Sequence, residues 1–174
     1  MGSTRLKPSA NLLTVIGDYE AAIAESSHVF NFPAVDFDDD SELILEVDGA
    51  ATLAFNLLMR INGVSSANYF TDGRRIIAFA EALVDLNDQN QMELMSSIIL
   101  VANITFAGKA SIKLSKAATS NRPSVDATFG GNGQQVANCT LTVDQANISS
   151  VQIFTSTSTW KIGTRATLYK RARK

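Results

Sequence analysis

Apolar and polar residues alternate with a period of two through much of this chain. In the stretch 110–115, Ile112 and Leu114 point to one side while Ser111, Lys113 and Ser115 point to the other. A strand with one wet face requires that alternation. Leu141 and Val143 share a face in the same way. Similar short segments recur at 12–17, 27–33, 42–49, 51–62, 94–106, 109–115, 126–131, 134–143, 149–158 and 165–171, with turn signals between them. Their number and spacing predict a mainly β chain: a single jelly-roll-like antiparallel β-sandwich with at most one short helix.

The helix is expected at 74–88, where Ile76, Phe79, Ala80, Leu83 and Val84 recur at spacings of three and four. Ala and Glu favour helix there, and Thr71 or Asp72 offers a cap. The same residues also fit a continuous buried strand. Residues 87–91 read as a polar loop and 120–135 as a loop-rich region around Pro123 and Gly130-Gly131-Asn132-Gly133. Asn62-Gly63 is the strongest hairpin signal in the chain, because both residue types tolerate positive φ. The stretch 57–70 therefore reads as a structural corner with a rim for a partner. Residues 1–10 are expected to form a flexible arm, 11–170 the sandwich, and 171–174 a basic tail.

Composition narrows the class. The 174 residues suffice for one domain with its own core. Apolar residues make up 45% and charged residues only 18%, which suits a folded domain with surfaces turned to partner subunits. Net charge is −2, but the acids concentrate between Asp18 and Asp48, and Lys161, Arg165, Lys170, Arg171, Arg173 and Lys174 crowd the end. Such asymmetry can set the register between subunits. The lone Cys139 excludes an internal disulfide and reads as a small buried hydrophobe. The start lacks the pattern of a signal peptide, and the apolar run at 97–102 is too short to cross a bilayer. The expectation is synthesis in a cytoplasm without a membrane partner.

Few residues invite chemistry. Asp36, Asp38, Asp40 and Glu42 fall at alternate positions, as oxygen ligands of Ca²⁺ can. The sixth and twelfth positions of an EF-hand loop would be Ser41 and Val47, so a solvated turn competes with an ion site. The single His28 sits in a strand-like stretch and reads as structural. Nucleophile elbows, zinc-protease helices and phosphate loops do not occur in the sequence, so neither an enzyme nor a cofactor is expected. Trp160 and Tyr169 beside terminal cations come nearest to a nucleic-acid surface, but the acidic balance disfavours it. Exposed rings among Tyr19, Tyr69, Phe70 and Trp160 would instead suit a glycan. Sequons at Asn103, Asn138 and Asn147 carry little weight without a secretion signal.

The stretches 30–37, 41–47, 57–69 and 149–171 together resemble small β-sandwich virion structural proteins of tailed phages, tail-fibre-like or capsid-decoration-like. The elements that carry the resemblance are Arg60-Ile61-Asn62-Gly63, Asn68-Tyr69, Trp160, Gly163-Thr164 and Leu168-Tyr169. Lys170 stands where that pattern has glycine. The resemblance implies a non-enzymatic virion component that acts through self-assembly, with a homotrimer favoured, and through attachment to other virion proteins. Candidate contact residues are Arg60, Asn62, Asn68, Tyr69, Lys170, Arg171 and Arg173. The alternative is a carbohydrate-binding module that reads a host surface glycan through the loops around Tyr69 and 129–135. A small hydrolase is a remote third reading, because titratable groups are sparse.

Overall fold

The computed structural model describes residues 12–37, 42–77, 80–96, 104–114, 120–131 and 133–172. Their regular elements are all strands: β1 (Leu12–Glu20), β2 (Ser27–Asp36), β3 (Glu42–Ala51), β4 (Asn56–Ile61), β5 (Tyr69–Ile77), β6 (Ala80–Gln89), β7 (Met92–Ser96), β8 (Ile104–Lys113), β9 (Ser124–Gly130), β10 (Gly133–Leu141), β11 (Asn147–Thr155) and β12 (Arg165–Ala172). The arm at 1–10, the apolar run at 97–102, Asp38, Asp40, Arg173 and Lys174 lie outside the described residues.

Two antiparallel sheets pack face to face, with strand orders β1-β12-β3-β8-β9-β10-β5-β6 and β2-β11-β4-β7. The pairings β1 with β12, β2 with β11, β3 with β8 and β4 with β7 bring the first strands onto the last in reverse sequence. This is a long hairpin folded over on itself, the topology of a jelly roll. Two inserted hairpins, β5–β6 and β9–β10, continue the larger sheet beyond β8.

The period-two pattern accounts for the core. Ile104, Phe106, Ala110, Ile112 and Leu114 of the β8 segment are buried, and their odd-numbered neighbours are less covered. Val125, Ala127 and Phe129 of β9 and Leu43, Leu45 and Val47 of β3 continue the same inner layer. Met59, Ile61, Val151, Ile153 and Phe30 face them from the smaller sheet. Val143 departs from the expectation: β10 ends at Leu141, which is buried, and Val143 is 40% exposed beyond it.

The expected helix at 74–88 is replaced by β5 and β6. β5 lies between β10 and β6 and hydrogen-bonds to both. Two ladders satisfy its backbone, and tertiary pairing outweighs the local helix preference of Ala and Glu. The polar loop expected at 87–91 shrinks accordingly, since β6 runs to Gln89. The loop-rich region expected at 120–135 contains β9 and the start of β10. Arg171 is no tail residue, because β12 continues to Ala172.

Candidate functional site

The corner at 57–70 connects the two sheets. β4 belongs to the smaller sheet and β5 to the larger, so the chain must cross between them. Asn62 and Gly63 take φ values of 50° and 67°, the left-handed pair that closes a tight turn, and Val64 N–H donates to Ile61 O at 3.0 Å. No two-residue hairpin results, because the next strand is in the other sheet.

Each contact candidate of this corner is committed within the chain. Asn62 Nδ2 donates to Asn147 O (2.7 Å) and Gln145 Oε1 (3.0 Å), and its Oδ1 accepts from Ser149 and Ser150 N–H. Arg60 donates to Asn90 O and Gln91 Oε1, both at 3.1 Å, and its guanidinium lies 4.7 Å over the Phe154 ring. Asn68 O accepts Thr142 N–H (2.8 Å) and the Thr142 hydroxyl (3.0 Å). Tyr69 is fully buried; its hydroxyl accepts from Ile61 N–H and donates to Val64 O. Burial pushes the Tyr69 phenol pKa up. These residues are also internal staples of the corner.

Two of the terminal cations behave in the same way. Arg171 Nη1 pairs with Glu42 Oε2 at 2.7 Å, and Arg165 Nε with Glu20 Oε2 at 3.1 Å. β12 lies between β1 and β3, so the acidic first strands flank the basic last one inside a single chain. Part of the charge asymmetry thus holds the chain to itself. Lys170 is half-buried on β12. Glu42 also accepts from the Ser111 hydroxyl, and Asp36 ends β2. Among the described residues no three His, Cys, Asp or Glu side chains gather as metal ligands.

Sequence reasoning missed two clusters. In the first, Glu93 of β7 is buried between the sheets and its Oε2 accepts Asn56 Nδ2–H at 2.9 Å. Burial pushes its pKa up, against the pull of Arg75 and Gln135. Glu93 N–H donates to Thr71 Oγ1 (3.2 Å), and the Cys139 thiol lies 3.8 Å from Glu93 O. Side chains of β5 and β10 thereby cover main-chain groups of β7. Met92 and Leu94 alternating with Glu93 and Met95 was the available sign, but it does not reveal that both faces are covered.

In the second cluster, Tyr19 stacks on His28 with ring centroids 4.0 Å apart, and its hydroxyl donates to Glu25 Oε1 at 2.5 Å. Burial, then Glu25, pushes the Tyr19 pKa well up; burial also pulls that of His28 down against Glu25. Trp160 lies 5.7 Å from Tyr19 and is fully buried, and its indole N–H has no acceptor among the described residues. Of the aromatic rings proposed for glycan stacking, Tyr69 and Trp160 are core, Tyr19 is half-buried, and Phe70 alone is open at 38%.

No family model matches this chain, and neither a curated protein nor a solved structure is significantly similar to it.

Proposed function

We propose that this protein is a non-enzymatic virion structural component of a tailed phage or related virus, in the tail or fibre or as a capsid decoration. It works by self-assembly, with a homotrimer favoured, and by attachment to neighbouring virion proteins. A jelly roll is shared by capsid proteins, lectins and cupins, so the choice rests on the surface and not on the fold.

The observation that carries the reading is the state of the loops and strand ends. Arg60, Asn62, Asn68 and Tyr69 tie one corner to β10–β11 and β6–β7 instead of opening a cleft. Such a stitched sandwich keeps its shape when copies are added, as a building block must. The burial of Tyr69 and Trp160 supports self-assembly over the glycan alternative, which needs their ring faces in water.

Light scattering behind a sizing column tests the proposal. A stable trimer or larger closed assembly is expected. A strict monomer at high concentration removes the self-assembly reading and directs attention to glycan-array binding through Phe70.

A further inference from the structure

Between β1 in the larger sheet and β2 in the smaller, the chain crosses over through residues 21–26. Main-chain bonds hold this crossover at both ends. Ala21 N–H donates to Thr164 O (2.8 Å) and Gly163 N–H to Ala21 O (2.9 Å) at its start. At its finish, Trp160 N–H donates to Glu25 O (2.7 Å) and Thr155 N–H to Ser26 O (2.8 Å). Ala22, Ile23 and Ala24 in the middle are exposed. A segment with so little buried surface opens more readily than the core strands. The Glu25 side chain adds one more tie, accepting the Tyr19 hydroxyl at 2.5 Å.

That tie belongs to a row of rings. Trp160, Tyr19, His28 and Phe30 follow one another with centroids 5.7, 4.0 and 4.6 Å apart. His28, the single histidine of the chain, is stacked on Tyr19 and edge-on to Phe30. The arrangement suits a neutral imidazole, because rings stand where a charge needs water, and burial draws its pKa down. Glu25 pulls the other way. The remaining charges around β2 give an imidazolium no support. Asp18 and Glu20 of β1 are engaged by Thr167 and Arg165 of β12, and β11, paired with β2, carries no titratable side chain. Lys161, next to Trp160 in the β11–β12 loop, can only oppose a second positive charge.

We propose that His28 is an acid-operated release for the β1–β2 crossover: protonation of its imidazole undoes the stack on Tyr19, frees the end of the crossover at Glu25 and uncovers Trp160. The charge can be met in two ways, and each removes a support of Tyr19. The ring can leave the stack for water, or the Glu25 carboxylate can turn from the phenol to the imidazolium. Trp160 favours the opening, because its fully buried indole N–H has no acceptor among the described residues and gains water once uncovered. Burial sets the sign: with the folded-state pKa below that of the unfolded chain, the contribution of His28 is fully present above the ordinary histidine range. It is lost as pH falls through the lowered value. The two bonds of Ala21 contain no titratable group, so the start of the crossover stays tied and the release is local. The device works within one chain and needs no second copy.

The chain carries its own reporters, since His28 and Trp160 are its one histidine and one tryptophan. The full chain is taken from pH 8 to pH 5 while the His28 ring resonance, Trp160 emission and far-ultraviolet circular dichroism are followed. The expected result is a reversible red shift of Trp160 that shares its midpoint with His28, below about pH 6.5, at unchanged circular dichroism. His28→Phe and His28→Gln should show no red shift. Glu25→Gln keeps an acceptor for the phenol and removes the charge that favours an imidazolium, so its midpoint should move to lower pH. A titrating His28 beside an unmoved Trp160 overturns the proposal, because the ring then swings out and nothing opens. A red shift that persists in both His28 variants overturns it too, as does one that coincides with loss of the circular dichroism signal, which is global unfolding. An unchanged midpoint in Glu25→Gln overturns the part given to Glu25.

Discussion

The Tyr69 hydroxyl meets the main chain of Ile61, eight residues upstream, accepting its N–H at 3.2 Å while donating to Val64 O at 3.0 Å. One phenol thus serves a buried donor and an acceptor of the corner where the chain changes sheets. Tyr69→Phe leaves both without that partner and should cost about 1–3 kcal/mol. Urea unfolding with an unchanged slope and a lower midpoint is the expected result; an unchanged midpoint would show that water replaces the phenol.

Asn62 combines a left-handed backbone with four side-chain hydrogen bonds. Asn62→Gly keeps the backbone and loses the bonds; Asn62→Ala loses both. Both variants should be destabilised, with alanine the worse by about 1 kcal/mol. Equal stabilities for the two variants would mean that φ at this position is free to relax.

Glu93 makes stability depend on pH. Asn56 faces it from β4, Arg75 and Thr71 from β5, and Gln135 and Cys139 from β10. Burial raises its folded-state pKa above that of the unfolded chain, so its contribution is fully present below the ordinary carboxylate range. That contribution is lost as pH rises through the raised value. Glu93→Gln should flatten this part of the stability profile and leave the variant relatively more stable at neutral pH. Chemical unfolding from pH 4 to pH 8 checks it; parallel profiles for wild type and variant would assign the slope to other groups.

Cys139 is buried and its thiol is pushed up to about 12, chiefly by burial. The native protein should resist aromatic disulfide reagents at pH 8, and the thiol should react fully in denaturant. Rapid labelling of the native protein would require β10 to open locally.

Alternation along the strand segments was enough to identify most of the sheet, because burial of one face is a local property of a pleated strand. Ile112 and Leu114 went inward as the pattern required. The corner at Asn62-Gly63 was equally legible, since positive φ is a demand on residue type. The helix expected at 74–88 is absent because composition there favours helix, while β5 takes its ladder from β10, some sixty residues away, and β6 takes its own from β5. The internal partners of Arg60, Asn62, Asn68 and Tyr69 were not legible for a related reason. Polar side chains at a turn look alike in sequence whether their partners are in solvent or in another loop.

By itself, the sequence determined the mainly β class, the corner at Asn62-Gly63 and an inward cysteine, because each depends on residues close together in the chain. Tertiary structure alone decided that β12 inserts between β1 and β3, placing Arg165 and Arg171 against Glu20 and Glu42. It also decided that Glu93 is enclosed and that the β1–β2 and β11–β12 loops are tied together through Ala21 and Glu25. These outcomes depend on which distant strands become neighbours, and that is settled by closing the whole sandwich over its core.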